Sequence, residues 1–184
     1  KQQKKIIAEV LSVQNQNKFQ TFLLHGVTGS GKTQVYISLA REILAKNKTV
    51  LILVPEISLT PQITSRFFNN FGDTVTVVHS RMSAGERFDS WRRVLKGKSK
   101  IVIGARSALF APLNNIGLIV VDEEHDASYK SADMIPKYNA RDGAVVLGNI
   151  FSCPVVLGSA TPSIESMFNA ETGKYKLLSL PKRI

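Results

Sequence analysis

The fold is decided by one short stretch of the chain, which reads Gly26-Val27-Thr28-Gly29-Ser30-Gly31-Lys32-Thr33. It fits the pattern G-x-x-x-x-G-K-[ST] at every position and follows an apolar run, residues 22–24, that predicts a buried strand. The glycines let backbone N–H groups point at phosphate oxygens, and a helix beginning at Lys32 adds the positive end of its dipole. We expect Lys32 to reach the β- and γ-phosphates and the Thr33 hydroxyl to bind Mg²⁺. The stretch therefore predicts a P-loop, with these residues lining a nucleoside triphosphate.

An acidic run follows a second apolar segment, residues 118–121, and reads Asp122-Glu123-Glu124-His125. An acidic residue at the carboxyl end of a parallel strand lies at the sheet edge where ligands bind. We expect Asp122 to hold Mg²⁺, directly or through water, and Glu123 to orient and deprotonate an attacking water. Taken alone, the acids are also compatible with a favourable helix N-terminus. Together with Lys32, Asp122 and Glu123 are the predicted catalytic residues.

Short apolar runs alternate with longer amphipathic segments along the chain, which indicates βα units and a parallel sheet. Strands are predicted at residues 21–25, 50–54, 75–79, 100–104, 118–121 and 155–158. Helices are predicted at residues 32–46, 61–71, 83–96, 140–149 and 163–170. Thr60 before Pro61, and Ser83 three residues before Glu86, are helix-start signals. The pattern predicts an α/β fold with a doubly wound, mostly parallel sheet.

Composition limits the class of protein. The chain has 184 residues, 43% of them hydrophobic, and a net charge of +10, which favours nucleic acid as a partner or a well-solvated surface. No run approaches the ~18 apolar residues of a membrane span, so no membrane partner is expected. The single cysteine, Cys153, excludes an internal disulfide or a cysteine-based metal cluster, and its apolar neighbours favour a small core residue over a reactive thiol. These features together predict a cytoplasmic protein.

A third motif, Gly158-Ser159-Ala160-Thr161-Pro162, follows the predicted strand at 155–158. Short hydroxyl side chains at a strand end can hydrogen-bond the acidic run and sense the γ-phosphate. They can also cap a helix, and Ser163 with Ser166 nearby keeps that alternative open. Residues 126–138 have no regular apolar face, and a loop of that length in a compact α/β domain is usually functional.

The three motifs, in this order, resemble motifs I, II and III of superfamily 2 helicases, with the acidic run as a variant of their DExH box. Four further segments resemble the primosomal replication-restart helicases (the PriA family, primosomal protein N′). They are VPEISLTPQ at 54–62, HSRMSAGER at 79–87, GARSALFAP at 104–112, and the run from Ser128 to YNARD at 138–142. The resemblance covers nearly the whole chain.

The resemblance implies a RecA-like P-loop NTPase domain, residues 1–184, forming the first lobe of a longer bacterial protein. That protein would be an ATP-dependent 3′–5′ DNA helicase, using ATP and Mg²⁺ at stalled or forked DNA, with primosome proteins and single-stranded DNA-binding protein as partners. The arginine finger would come from a second lobe, so the isolated lobe is expected to turn ATP over poorly. Zinc is expected only in the rest of the parent protein. The alternatives are a double-stranded DNA translocase or a nucleotide-gated binding module.

The resemblance also assigns roles to single residues. In the family's aromatic-rich loop, Tyr129, Lys130, Tyr138 and Arg141 would couple DNA contact to ATP hydrolysis. Residues 56–62, with Arg106 and Ser107, would contact the DNA backbone. Apart from the resemblance, the position of His125 beside the acids predicts a relay between the nucleotide and Ser159 and Thr161. Gln3 is either an adenine reader or a solvated residue.

Charge and aromatic side chains outside these motifs permit fewer assignments. The basic residues that follow the third predicted strand either neutralise phosphates or form a solvated helix face; they are Arg81, Arg87, Arg92, Arg93, Lys96, Lys98 and Lys100. Four aromatic residues are expected in the core rather than as base-stacking platforms: Phe19, Phe67, Phe68 and Trp91.

Overall fold

The computed structural model describes residues 2–56, 61–131 and 137–183, leaving aside the side chains of residues 61 and 62. The described residues form one seven-stranded sheet with the order β3-β4-β2-β5-β6-β1-β7. Every strand pairing within it is parallel. The strands are β1 Gln20–Gly26, β2 Thr49–Leu53, β3 Val75–Val78, β4 Ile101–Gly104, β5 Ile116–Asp122, β6 Pro154–Ser159 and β7 Lys176–Leu180. The predicted doubly wound parallel α/β fold is confirmed.

Helices cover both faces of the sheet, because neighbouring side chains on a strand point to opposite sides. The helices are α1 Gln2–Asn15, α2 Lys32–Ala45, α3 Pro61–Phe71, α4 Ala84–Leu95, α5 Ala140–Ile150 and α6 Ile164–Glu171. On one face α1, α2 and α3 pack around Phe22 and Leu24. On the other face α4, α5 and α6 pack around Leu23. The central strands are buried on both faces, as their continuous apolar runs require.

The strand register brings the three sequence motifs to one edge of the sheet. Asp122 at the end of β5 is paired with Gly158 of β6, and Ser159 of β6 is paired with His25 of β1. Because the strands are parallel, the P-loop after β1, the acidic run after β5 and the hydroxyl motif after β6 emerge side by side.

The helix-start predictions can be compared with the structure at two places. Ser83 caps α4 with a complete capping box, in which its hydroxyl accepts from the Glu86 N–H and the Glu86 carboxylate accepts from the Ser83 N–H. Helix α3 does begin at Pro61, while Thr60 lies outside the described residues.

Two sequence expectations were incomplete or wrong. Strand β7 was not predicted, because it is a short edge strand with alternating exposed and buried residues. Phe67 is buried as expected, but Phe68 and Trp91 are exposed rather than in the core. Within the described residues, no helix is both long and apolar enough to cross a membrane.

Candidate nucleotide-binding site

The P-loop runs from the end of β1 into α2 through two glycines in the left-handed region. Gly29 has φ +79° and Gly31 has φ +86°, values that other residues rarely adopt. Gly31 is the N-cap of α2 and has no side chain to accept from the first-turn N–H groups. These N–H groups are therefore free of a capping side chain and can donate hydrogen bonds to phosphate oxygens. This is the geometry of an anion site at a helix N-terminus.

Lys32 is the buried cation of the loop. Its Nζ donates to the Gly26 carbonyl at 2.9 Å and lies 3.6 Å from Glu123 Oε1. The lysine thus joins the P-loop to the acidic run, so motifs I and II lie in direct contact. Among the described residues, the Ser30 hydroxyl is buried without a hydrogen-bond partner, and a buried polar atom of this kind at the loop is consistent with a polar ligand.

Asp122 is held from two sides by tyrosines. Tyr36 donates its hydroxyl to Asp122 Oδ1 at 2.9 Å, and Tyr129 donates to the Asp122 carbonyl at 2.6 Å. Burial and the neighbouring Glu123 raise the pKa of the Asp122 carboxyl to about 6. Burial also raises the pKa of both phenols, which keeps them protonated as donors. Tyr36 packs closely on the strand here, since a Cβ at residue 158 would lie 1.8 Å from the Tyr36 hydroxyl and would force it to move.

Glu123 turns the chain sharply at the end of β5. Its φ of +46° is uncommon for a residue with a side chain. The turn directs the carboxylate towards Lys32, while the next N–H, of Glu124, donates to the Gly158 carbonyl at 3.0 Å. Backbone strain of this kind often accompanies functional positions. Here the turn points the Glu123 carboxylate at Lys32 and the Glu124 carboxylate at Ser163 and Ser166.

His125 connects the acidic run to the hydroxyl motif. Its Nδ1 lies 2.8 Å from Ser159 Oγ and 3.7 Å from Glu123 Oε2, and its Nε2 lies 3.4 Å from Thr161 Oγ1. The Thr161 N–H donates to Ser159 Oγ at 2.9 Å. The helix-cap alternative applies to Ser163, whose hydroxyl accepts from the Ser166 N–H at the start of α6. Ser159 and Thr161 therefore contact His125, and Ser163 performs the capping.

Glu124 is a buried carboxylate that fastens the acidic run to α6 and α5. It accepts from the Ser163 N–H at 2.7 Å, the Ser163 hydroxyl at 3.1 Å and the Ser166 hydroxyl at 2.8 Å. Arg141 Nη1 donates to it at 3.2 Å, and Arg141 Nε pairs with Asp142 at 2.9 Å. The Arg141 side chain is largely buried in this network. It lies against the acidic run rather than presenting a free guanidinium to solvent.

The residues expected to contact DNA occupy several environments. Arg106 donates to the Lys130 carbonyl at 2.7 Å, which ties the short helix Arg106–Phe110 to the loop after the acidic run. Tyr129 is buried under that loop, and Tyr138 packs edge-on against Phe110 with ring centroids 5.2 Å apart. Among the described members of the set, Glu56, Arg81, Ser107 and Lys130 are exposed. Of the predicted segment 56–62, residues 57–60 lie outside the described residues.

Gln3 approaches the P-loop from α1. Its side-chain amide donates to the carbonyls of Ser30 and Gly31, both at 3.4 Å. These contacts place the half-buried Gln3 side chain beside the P-loop, and its role as an adenine reader stays a prediction.

Sequence reasoning missed two residues of the site, Glu124 and Tyr36. In the sequence Glu124 is one more acid in an acidic run, and nothing local shows that it alone faces inward. A signal for Tyr36 did exist, because it stands four residues after Lys32 and so on the same face of α2. An aromatic residue with a polar tip on that face indicates a hydrogen bond near the P-loop.

The fold and the arrangement of the three motifs define a RecA-like P-loop domain. A family model described as type III restriction enzyme, res subunit, matches residues 1–164. The chain belongs to that family.

Relatives and solved structures agree with this assignment. The chain is 51% identical over 168 residues to the replication restart protein PriA of Bacillus subtilis (strain 168), which covers 91% of this chain and 21% of the relative. It is 48% identical over 186 residues to the protein of that name from Synechocystis, covering 99% and 22%. The resemblance to the replication-restart proteins seen in the motifs is confirmed, and the chain spans about a fifth of the length of these relatives. Among solved structures, RecG bound to a three-way DNA junction is similar in fold, with a TM-score of 0.71 at 21% identity, covering 99% of this chain and 23% of that one.

Proposed function

We propose that this chain is the ATP-binding lobe of an ATP-dependent 3′–5′ DNA helicase that acts on stalled or forked DNA in replication restart. The observation that carries the proposal is the contact of Lys32 with Glu123 beside Asp122, in a chain about half identical to replication restart proteins. Because the chain covers about a fifth of those relatives, residues 1–184 would be one lobe of a longer bacterial, cytoplasmic protein.

The residues at the sheet edge fit a nucleoside triphosphate with Mg²⁺. In its bound state Lys32 would exchange the Gly26 carbonyl for the β- and γ-phosphates, and the N–H groups from residue 29 onward would surround the phosphates. Thr33 and Asp122 would hold Mg²⁺, which neutralises charge on the phosphates when bound. Glu123, already 3.6 Å from the Lys32 ammonium, would orient the attacking water and take its proton.

Three contacts form a path for coupling DNA to this chemistry. Arg106 holds the Lys130 carbonyl, the adjacent Tyr129 holds the Asp122 carbonyl, and His125 joins Ser159 to the acidic run. A displacement of Arg106 by a DNA phosphate would therefore be transmitted to Asp122 through two hydrogen bonds. Tyr129 acts in this path from a buried position, as a coupling residue rather than a base-stacking one.

The lobe would supply only half of the catalytic machinery. An arginine finger from a second lobe stabilises charge in the transition state of such motors. Primosome proteins and single-stranded DNA-binding protein are the partners implied by family resemblance, and zinc belongs to other parts of the parent protein.

Strand displacement by the full-length parent protein tests the proposal. We expect ATP-dependent unwinding of a forked duplex in preference to a blunt one, and loss of unwinding with Glu123→Gln while DNA binding persists. Equal activity on forked and blunt duplexes would contradict the restart assignment, and translocation without strand separation would contradict the helicase assignment.

A further inference from the structure

Helix α4 exposes an apolar face that the fold does not use. In this fully described helix, Val94 is the one buried residue. Phe88, Trp91 and Leu95 are 61%, 37% and 59% exposed. Their spacing of three and four residues places them on one side of the helix. Large apolar side chains gathered on one exposed face mark an interaction site more often than scattered ones do.

This apolar face differs from the side of α4 that packs on the sheet. At 100° per residue, Ser90 and Val94 lie on the core side, and the Phe88–Trp91–Leu95 line is turned roughly a third of a circle away from it. The helix therefore has two sides with apolar residues. The first packs through Val94 on the core cluster that includes Val78 of β3. The second side is an open surface of α4 that runs from Ala84 to Leu95.

Cations border this surface on both sides. Arg87 and Arg92 line its edges. A neighbouring hollow is lined by Arg92, Arg93, Lys96 and Lys98, with Asp89 as its one acid. An occupant complementary to this surface is apolar along its centre and acidic along its margins.

This surface of α4 is better suited to a protein segment than to single-stranded nucleic acid. Base stacking needs an open aromatic face, and the Arg92 guanidinium lies over the Phe88 ring, 5.5 Å from its centroid. Nearly two thirds of Trp91 is covered, and Leu95 offers no ring at all. Tryptophan, phenylalanine and arginine, which line this surface, are enriched at protein–protein interfaces.

We propose that the Ala84–Leu95 face of α4 is a docking surface for an acidic amphipathic segment of another protein, with bulky apolar side chains at helical spacing. The apolar side chains would lie along Phe88, Trp91 and Leu95, and the acids would pair with Arg87 and Arg92. None of the residues that line this surface lies in the P-loop, the acidic run or the hydroxyl motif.

Trp91 is the only tryptophan in the chain, so its fluorescence reports directly on this face. The probe is a helical peptide of about 16 residues, with leucines at helical spacing and glutamates on either side. Titration of the 184-residue chain with this peptide should shift Trp91 emission to shorter wavelength in a saturable way. The same peptide with glutamine in place of glutamate should bind about tenfold more weakly.

Two double variants separate the charged margins from the apolar centre. Arg87→Glu with Arg92→Glu should weaken peptide binding about tenfold or more. Phe88→Ser with Leu95→Ser should do the same, and both pairs should fold normally because the residues are exposed. Lys4→Glu with Lys5→Glu on α1 changes the net charge equally at another surface and should leave binding unchanged.

Three results would overturn the proposal. The first is no response of Trp91 to the acidic peptide. The second is displacement of the peptide from α4 by an oligothymidylate, which would make the face a nucleic-acid site. The third is a blue shift that grows with protein concentration alone, together with a dimer in sedimentation, which would make a second copy of the chain the occupant.

Discussion

Replacing Glu124 with alanine should be among the most destabilising single changes at the site. The carboxylate accepts four hydrogen bonds, from Ser163 N–H, Ser163 Oγ, Ser166 Oγ and Arg141 Nη1. Without it, the Ser163 N–H and the buried Ser166 hydroxyl lose this acceptor, each at a cost of about 1–3 kcal/mol. Arg141 keeps its pair with Asp142, so the penalty of a fully unpaired cation is avoided. We expect Glu124→Ala to lower the free energy of unfolding by about 3–5 kcal/mol.

The assay is urea unfolding followed by far-ultraviolet circular dichroism. Glu165→Ala is the matched control, because Glu165 is an exposed acid in the first turn of α6, the helix that Glu124 contacts. Glu124→Gln should fall between the control and alanine, since an amide keeps the shape of the side chain and one acceptor oxygen. If Glu124→Ala and Glu165→Ala unfold at the same urea concentration, the argument that Glu124 fastens the acidic run to α6 is wrong.

Three further changes test the surroundings of Asp122 and the core. The pKa of Asp122 in the folded chain, about 6, exceeds its ordinary 3.8, so stability falls as the pH rises from about 4 to about 6 and the full cost remains above pH 6. Without Mg²⁺, Asp122→Asn should therefore raise the free energy of unfolding by about 1–3 kcal/mol near pH 7.5, and this gain should disappear below about pH 4. Equal gains at both pH values would contradict the raised pKa of Asp122. Gly158→Ala should cost about 1–3 kcal/mol through overlap with the Tyr36 hydroxyl, and Tyr36→Phe should recover part of that loss in a double-mutant cycle. Burial raises the pKa of the Cys153 thiol to about 12, so a disulfide reagent near pH 8 should modify it at least about a hundredfold more slowly in the folded chain than in guanidinium, and similar rates would place Cys153 outside the core.

The sequence predicted the sheet and the nucleotide edge because their signals are local. A P-loop carries its whole backbone geometry in eight successive residues, and buried parallel strands read as apolar runs. The predicted parallel sheet put the acidic run and the hydroxyl motif at the carboxyl ends of strands. The strand order that pairs Asp122 with Gly158 was not predicted and is seen only in the structure.

The features that sequence reasoning missed depend on contacts between distant residues. Glu124 and Ser166 are 42 residues apart, and Tyr36 and Asp122 are 86 apart. No local pattern distinguishes an acid that faces Lys32 from the next acid, which faces the core. The exposure of Trp91 was missed for the same reason, because helical spacing predicts an apolar face but not which face packs on the sheet.

Direct binding of Mg·ATP to the 184-residue chain, measured together with ATP turnover in the presence and absence of single-stranded DNA, tests the central claim most directly. The account predicts saturable binding that Lys32→Ala abolishes, that Lys174→Ala at an exposed position leaves intact, and that is accompanied by negligible turnover with or without DNA. Binding that survives Lys32→Ala would contradict the assignment of the nucleotide site, and brisk DNA-stimulated turnover would contradict the claim that this lobe needs a second one.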